Sequence, residues 1–417
     1  MQDTREVMDH LFRRESGKMV SYLTRIFGLS HLNMAEDVVQ DTLIKAMETW
    51  PLHGLPDNPS AWLMRAARNR AIDLIRRDSH FKFVTPELTY LLRLREEEGE
   101  EGPVPAKEIK DDQLRMMFSC CHPDLSADAQ ITLILKTLCG FSVSEIAHAF
   151  FTQEEAIEKK LSRARKALRE SGNFVELTNN LDIPQRLETV YQALYLLFNE
   201  GYHGSRSDRK EPEELCYEAM RLTLLLGEHP EGKRPKTYAL VALMCLHAAR
   251  LPGRLGDDGT LIQLEFQDRS KWDQALIGKG LEYLEKAWAG QLVGEYLVEA
   301  SIAGLHCGAK SYAETEWGKI LELYNLLYHL KPTPVVALNQ AIALGKAEGL
   351  EKGLEALKNL PGADKLKDYP FYPAAQGEFH LLAGQPKQAE VYFAEAVKQS
   401  RNESEKVFFE RKQKSCL

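Results

Sequence analysis

Two helix-start signals lie only ten residues apart between Asp128 and Glu170. Ser142 is followed three positions later by Glu145, and Thr152 is followed at the same spacing by Glu155. In such a capping box the hydroxyl and the carboxylate each accept a hydrogen bond from a free backbone N–H at the helix start. Two starts this close leave room for one short helix and one sharp turn. The sequence therefore predicts a helix-turn-helix.

The second helix of this motif has one apolar and one basic side. Its apolar residues recur at spacings of four, three and four, at Ile157, Leu161, Ala164 and Leu168. The other side carries Lys159, Lys160, Arg163, Arg165, Lys166 and Arg169. A run of charge is usually a solvated face, but the second helix of a helix-turn-helix normally enters the major groove. The pattern therefore predicts DNA binding.

Size and composition favour a multidomain cytoplasmic protein. The 417 residues predict two to four domains, and 44% hydrophobic residues suffice for packed cores. No apolar run reaches the length of a membrane span, and the charged N-terminus does not read as a secretory signal. Seven scattered cysteines fit a reducing compartment, so we expect a cytoplasmic location. The net charge of −8 requires that any DNA-binding charge be concentrated locally.

That concentration is visible before the helix-turn-helix. Residues 62–77 contain five arginines against one aspartate, whereas residues 93–112 are acidic and interrupted by glycine and proline. We expect an exposed acidic linker over residues 79–111. Some 35 residues from Asp78 to Asp112 would span roughly 30–35 Å when relaxed and about 115 Å when extended. Such a linker lets two DNA-binding modules reach separate sites.

Residues 1–78 form the predicted first module. Asn33 is expected to cap a helix, with Glu36 three positions later. The outer face of that helix is polar but includes Ile44, which suits a docking surface and a plain solvent face about equally. Asn58 is expected to cap the next helix, with Pro59 in its first turn. Trp62 is better interpreted as a core aromatic than as a base-stacking platform.

Three blocks together resemble a known family. The string AEDVVQDTLIKAMETW over 35–50, the string PSAWLMRAARNRAIDLIRR over 59–77, and the helix-turn-helix are similar in order and spacing to bacterial sigma factors of the extracytoplasmic-function type. The resemblance covers roughly residues 5–77 and 110–171. It implies that the protein binds RNA polymerase core, through its β′ and β subunits, and promoter DNA. The implied core-polymerase contacts are Asp37, Gln40, Asp41, Thr42 and Lys45.

The same resemblance divides DNA recognition between the two modules. The first would read and melt the minus-ten element, and the helix-turn-helix would read the minus-thirty-five element as duplex. The implied minus-ten residues are His53, Asp57, Asn58, Ser60, Trp62, Arg65, Arg68, Asn69, Asp73, Arg76 and Arg77. The implied minus-thirty-five residues are Thr152, Gln153, Glu155, Lys159, Lys160, Arg163 and Lys166. Pockets and stacking planes suit unpaired bases, while side chains at base edges suit a duplex.

The C-terminal half reads as helical repeats. Gly377, His380, Gly384, Ala389, Phe393 and Ala396 have the spacing of small and bulky residues in a tetratricopeptide (TPR) helix pair. Looser copies include Ala341, Gly353 and Leu357, and then Ala313, Trp317 and Ile320. The strings FSCCHPDL (118–125), YLLFNEGY (195–202) and QDRSKWD (267–273) add to a resemblance with sigma factors that carry such an extension. The extension implies a surface for a protein partner or for an intramolecular contact.

Features that suggest catalysis or metal binding are weak. Cys120, Cys121 and His122 are adjacent, but a closed zinc site needs four ligands and no second pair stands nearby. No phosphate loop, paired catalytic carboxylates or nucleophile elbow is visible. We therefore expect no cofactor, no metal and no enzymatic activity.

The sequence thus predicts an all-α protein. It has two small sigma-factor domains, region 2 over 1–78 and the helix-turn-helix region 4 over 112–172, plus a C-terminal α-α repeat (TPR-like) domain over 180–417. The predicted function is promoter-specific initiation, regulated through the extension. The alternative is a helix-turn-helix activator or repressor whose repeats dock another protein, but this leaves the 35–77 block unexplained. An enzyme or scaffold built on the C-terminal half lacks an active-site pattern.

Overall fold

The described residues are helical almost throughout. The computed structural model describes residues 2–77, 106–122, 124–150, 152–171, 183–204, 211–256, 260–400 and 403–416. Within these ranges extended pairing is limited to an isolated bridge between Leu255 and Leu261. The predicted all-α class is confirmed. The chain divides into two compact units, residues 1–197 and 198–417.

The N-terminal module consists of three helices: α1 (Gln2–Phe27), α2 (Leu32–His53) and α3 (Pro59–Arg77). The predicted cap at the start of α3 forms, since the Asn58 Oδ1 accepts from the Ala61 amide at 3.1 Å. The predicted cap of α2 by Asn33 is wrong. A short 3₁₀ turn over Leu29–His31 leads directly into α2, so Asn33 already lies inside the helix.

Aromatic packing joins the three helices of this module. The Trp50 ring of α2 lies 5.4 Å from Phe12 of α1 and 5.4 Å from Trp62 of α3, measured between ring centroids. Trp50 is 4% exposed, so the contacts are made in the core. Offset and edge-on aromatic pairs add to the stabilisation from area burial. Trp62 therefore takes the core role that its spacing favoured.

The helix-turn-helix module also has the predicted layout. Its helices are α4 (Ala106–Cys120), α5 (Ala127–Thr137), α6 (Val143–Ala149) and α7 (Glu154–Ser171). The capping box at α6 is confirmed: the Ser142 amide donates to Glu145 Oε2 at 2.7 Å, and the Glu145 amide donates to Ser142 Oγ at 3.1 Å. Helix α4 begins at Ala106, so residues 106–111 of the predicted linker are helical. The remainder of that linker lies outside the described residues.

The C-terminal unit continues with helices packed as hairpins. The remaining helices are α8 (Ile183–Gly204), which runs through the division between the units, α9 (Glu211–Glu228), α10 (Pro235–Ala248), α11 (Leu251–Arg254), α12 (Gln274–Ala289), α13 (Glu295–Gly308), α14 (Trp317–Leu330), α15 (Pro334–Glu348), α16 (Leu350–Lys358), α17 (Phe371–Leu382), α18 (Pro386–Gln399) and α19 (Glu403–Lys414). Successive helices pack on each other in most cases from α12 to α19, with the strongest pairing between α17 and α18 and between α14 and α15.

Small residues set the close approach of these helices. A Cβ on Gly345 of α15 would lie 2.0 Å from Cε1 of Phe379, and a Cβ on Gly353 of α16 would lie 2.4 Å from the same atom. Phe379 is 2% exposed and has no free direction in which to move. In the last hairpin, Ala389, Phe393 and Ala396 are all buried, as the repeat spacing predicts. The extension therefore depends on glycine as much as on bulky side chains.

Replacing Gly345 with alanine should destabilise the C-terminal unit. The new methyl group overlaps a buried ring, and overpacking of this kind typically costs about 1–3 kcal/mol. Gly278→Ala in α12 is the matched control, because a Cβ there meets nothing within 4 Å. That control should gain about 0.5–1 kcal/mol from the helix preference of alanine. Urea unfolding followed by circular dichroism measures both, and equal effects at the two sites would contradict the packing argument.

Candidate nucleic-acid interface

Helix α7 presents a basic side to solvent. Its four apolar residues, Ile157, Leu161, Ala164 and Leu168, are each 2% exposed or less, as predicted. With these residues in the core, the polar side of the helix faces outward. Of the predicted duplex-reading residues, Gln153, Glu155, Lys159, Arg163 and Lys166 are exposed, and Thr152 and Lys160 are half-buried. Most of the predicted reading set is therefore free to meet a groove.

Two local details of this helix differ from expectation. Helix α7 begins at Glu154, and its first turn closes on the Gln153 carbonyl, which accepts from the Ala156 amide at 3.1 Å. The predicted capping box from Thr152 to Glu155 is therefore wrong by one residue. The Thr152 amide instead donates to the Ala147 carbonyl at 2.9 Å and so fastens the turn between α6 and α7. Lys160 lies 3.4 Å from the Asp128 carboxylate, which holds it beside α5.

The second candidate surface lies at the α2–α3 loop and along α3. His53, Asp57, Asn58 and Asp73 are exposed, and Ser60, Trp62, Arg65 and Asn69 are partly buried. The loop begins at Gly54, whose φ of 86° and absence of neighbours within 4 Å suit glycine. Arg76 and Arg77 lie in the last turn of α3, but their side chains are outside the described set. The loop and α3 thus place a polar, partly cationic group of side chains on one side of the module.

Two predicted contact residues require correction. Arg68 is 3% exposed and Thr42 is 2% exposed, so both side chains belong to the core of the module in this structure. The Thr42 hydroxyl donates to the Val38 carbonyl of its own helix at 2.8 Å. A buried side chain cannot reach a DNA strand or a partner surface without rearrangement. We therefore remove both residues from the contact surfaces.

The outer face of α2 combines charge with exposed apolar groups. Asp37, Gln40, Asp41 and Lys45 are exposed, and Asp41 pairs with Arg70 of α3 at 3.0 Å. Ile44 is 42% exposed and Met47 is 49% exposed. Met47 is absent from the sequence-based prediction, although its position three residues after Ile44 places it on the same helix face. An apolar centre with a polar rim is typical of protein docking surfaces.

The two modules are packed against each other in the first unit. A Cβ on Gly17 of α1 would lie 1.9 Å from the carbonyl oxygen of Leu138, so the two backbones touch. Arg25 of α1 pairs with Asp112 of α4 at 2.8 Å. Arg165 of α7 pairs with Glu36 of α2, with 2.5 Å between Nη2 and Oε2. We call these three contacts the module interface.

Asp112 is the most buried charge in this interface. Its side chain is 0% exposed and is held by Arg25 and by Arg115, each at 2.8 Å. Burial outweighs the two cations and raises the pKa of Asp112 from 3.8 to about 6. A carboxyl with a raised pKa stabilises the folded state most when it is protonated. Its contribution is therefore lost as the pH rises from about 4 to about 6.

The adjacent cysteines are part of the core. Cys120 and Cys121 are both 0% exposed, and Cys120 Sγ lies 3.4 Å from the Thr137 hydroxyl. Burial raises the pKa of Cys120 to about 12 and also raises the pKa of Cys121, which disfavours thiolate formation. Across the described ranges, no cluster of three His, Cys, Asp or Glu side chains is placed to hold a metal ion.

No helix in the described parts of the chain is both long enough and apolar enough to cross a membrane.

Asp112→Asn should flatten part of the pH dependence of stability. Asparagine keeps the shape of the side chain but does not titrate, so the difference in unfolding free energy between variant and wild type should shift in favour of the variant from pH 4 to pH 7. Urea unfolding at pH 4, 5, 6 and 7 gives this difference. The exposed Asp57→Asn substitution is the control. A difference that is constant over this range would show that Asp112 keeps its ordinary pKa.

Comparison with known proteins gives two kinds of match. Residues 11–81 match the family described as Sigma-70 region 2, and residues 186–288 match a family of unknown function (DUF6596). The second match covers helices that the sequence analysis interpreted as TPR-like. No solved structure is significantly similar to the chain.

Several relatives extend the first match. The chain is 35% identical to the uncharacterized protein R00370 of Rhizobium meliloti over 91% of this chain and 89% of that protein. It is 30% identical to the RNA polymerase sigma factor NccH of Alcaligenes xylosoxydans over 36% of this chain and 80% of the relative. It is 27% identical to the ECF RNA polymerase sigma factor SigL of Mycobacterium tuberculosis over 39% and 87%, respectively. Together with the helix-turn-helix geometry, these matches show that the chain belongs to the sigma-70 family, as a sigma factor of the extracytoplasmic-function type with a DUF6596 region in its C-terminal extension.

Proposed function

We propose that this protein binds RNA polymerase core, including its β′ and β subunits, and directs it to promoters that carry minus-ten and minus-thirty-five elements. The observation that carries the proposal is the exposed basic side of α7 on a helix whose apolar side is fully buried. That helix follows a capped short helix and a sharp turn, so it can project into the major groove. The protein itself performs no covalent chemistry, which the polymerase supplies. It acts where the polymerase is, in the cytoplasm.

Recognition of the minus-thirty-five element is assigned to the α7 reading set: Thr152, Gln153, Glu155, Lys159, Lys160, Arg163 and Lys166. Lysine and arginine at these positions contact phosphates or guanine edges. Glu155 can accept from a cytosine amino group. The charge at the start of α7 also favours the positive end of the helix dipole. Both roles are compatible with its exposed position.

Recognition of the minus-ten element is assigned to the α2–α3 loop and α3. The contact set is the predicted one without Arg68: His53, Asp57, Asn58, Ser60, Trp62, Arg65, Asn69, Asp73, Arg76 and Arg77. Trp62 supports this surface from the core rather than by stacking on a base, because its ring packs on Trp50. The exposed loop residues before Pro59 provide the hydrogen-bonding groups that a flipped base requires. Extruding a base costs a few kcal/mol, which contacts with the polymerase must offset.

Docking on the polymerase is assigned to the outer face of α2. Asp37, Gln40, Asp41 and Lys45 form the polar rim, and Ile44 and Met47 form the apolar centre. The extension provides a further surface for regulation. A groove of about 610 Å³ lies beside α14, α15 and α16 and is lined by Asn325, Gln340, Lys352 and Glu355 among others. Its mixed polar and apolar lining suits a peptide segment.

The direct test is transcription in vitro with purified core polymerase on a library of genomic fragments. Core polymerase with this protein should initiate at defined start sites, whereas core alone should not. Asp37→Lys should lower affinity for core by about tenfold, because charge reversal at the rim of a docking surface opposes association. Glu285→Lys, which reverses an exposed charge on α12, should bind core as the wild type does. Absence of any defined start site would refute the function, and wild-type affinity of Asp37→Lys would refute the docking surface.

Phosphate contacts by α7 have a separate signature. Lys159→Ala and Arg163→Ala should each weaken binding to minus-thirty-five duplex, and each lost phosphate contact should reduce the slope of log affinity against log salt by about 0.9. Lys279→Ala on α12 removes an exposed lysine outside the proposed interface and serves as control. Fluorescence anisotropy over a salt series measures the slopes. An unchanged slope with lower affinity would indicate base contact instead of phosphate contact.

A further inference from the structure

The module interface has a consequence for promoter binding, given the proposed function. Minus-ten and minus-thirty-five elements lie about 25 base pairs apart, which is roughly 85 Å along B-DNA at 3.4 Å per pair. A module of about 75 residues is roughly 30 Å across. Two such modules in direct contact span roughly 60 Å at most. They are too close together to occupy both elements on straight DNA.

We propose that the packed arrangement of the two modules is a closed state that can occupy one promoter element at a time. Promoter binding through both elements then requires the module interface to open. The interface consists of the Gly17–Leu138 backbone contact and the Arg25–Asp112 and Glu36–Arg165 ion pairs. This proposal adds a conformational control to the proposed function and depends on it.

The closed state restricts geometry without covering the reading residues. Lys159, Arg163 and Lys166 are all exposed while Arg165 is held by Glu36. At 100° per residue, Arg165 points roughly 160° away from Arg163 and about 120° away from Lys159. The ion pair therefore grips α7 from the side that does not read DNA. The closed protein should still bind a short duplex that contains a single element.

The interface has the composition of one that opens. The Glu36 and Arg165 side chains are 17% and 21% exposed, yet among the described residues Glu36 Oε1 and Arg165 Nε have no hydrogen-bond partner. A buried pair with unsatisfied atoms offsets little of its desolvation. Ion pairs that regain water on opening therefore favour a reversible contact more than an apolar seam would. Between Arg77 and Ala106, the chain is long enough to extend to about 95 Å, so separation of the modules requires no break in the chain.

Gly17→Ala is the sharpest perturbation. A Cβ at this position meets the Leu138 backbone, which cannot rotate away, so the modules must separate at that point. Alanine is also the better helix former, so α1 itself is not weakened. The substitution lies outside both proposed DNA-reading sets and the docking face of α2. Glu36→Gln and Arg165→Gln open the same interface by removing charge, and exchange of the two charges (Glu36→Arg with Arg165→Glu) should close it again.

The test measures the distance between the modules in the full-length protein. Dyes are attached through non-natural amino acids at Glu48 of α2 and Glu170 of α7, both exposed, so that the native cysteines are undisturbed. The free wild-type protein should show one short-distance population in single-molecule energy transfer. Gly17→Ala should populate longer distances, and Gly278→Ala should not. Addition of core polymerase and a promoter fragment from the transcription experiment should move the wild type towards roughly 85 Å.

Binding to DNA gives the second readout. Without core polymerase, wild-type protein should bind a two-element fragment no more tightly than a single-element fragment. Gly17→Ala should prefer the two-element fragment by about tenfold or more, because the second contact becomes intramolecular. If Gly17→Ala loses its circular dichroism signal, the Glu36→Gln and Arg165→Gln variants decide the question.

The outcomes separate this proposal from the proposed function. Long distances in the free wild type, or a short distance that persists on core polymerase and promoter, would refute the closed state even if transcription occurs. Equal distances in the wild type and in the folded opening variants would refute the assigned contacts. A short free-state distance in a protein that never initiates transcription would instead refute the sigma-factor mechanism, on which the closed state depends.

Discussion

Helix α1 is the element on which the first unit depends, because it packs on both modules. Phe12 lies against Trp50 of the N-terminal module, while Gly17 and Arg25 contact the helix-turn-helix module. One helix therefore stabilises the core of the module that carries the proposed minus-ten surface and also holds the module that carries the duplex-reading helix. A change in the angle of α1 would be transmitted to both. This shared helix explains why two modules separated by an acidic segment in sequence form one compact unit.

Local rules predicted much of this fold. The Ser142–Glu145 box, the Asn58 cap and the buried residues of α7 follow from spacing alone, and all three are present. The errors have local physical causes. Asn33 lost its capping position because a 3₁₀ turn over Leu29–His31 already satisfies the start of α2. The α7 box failed because the turn recruits the Thr152 amide and starts the helix two residues later.

The site residues were harder to predict than the helices. A polar residue on a helix reads as exposed, yet Arg68 and Thr42 are buried, because three helices around Trp50 enclose more than one face of α2 and α3. Which sides of a helix are enclosed depends on its tertiary neighbours and not on its own periodicity. The module interface gives no sequence signal at all. Arg25 and Asp112 are separated by 87 positions and Glu36 and Arg165 by 129, so neither pair forms a local pattern.

The conspicuous strings of the extension have structural explanations. Arg254 donates to the Tyr202 carbonyl near the end of α8 and lies over the Tyr202 ring at 4.1 Å. Arg269 donates to the carbonyls of His306 and Ala309 at the end of α13, at 2.7 and 2.6 Å, and lies over Trp272 at 4.6 Å. Cations at helix C-termini satisfy carbonyls and favour the helix dipole. The residues that suggested special chemistry therefore fasten helix ends within the C-terminal unit.

The position of Arg165 separates control from recognition on a single helix. Side chains that point more than 100° apart around α7 share no partner, so their energies should be close to additive. A different residue at Lys159 or Arg163 changes which duplex is preferred without changing the strength of the ion pair with Glu36. Conversely, a change at Glu36 alters how often the modules separate while the reading side remains the same. On this arrangement the fraction of open protein and the choice of promoter are independent variables, because opposite sides of one helix set them.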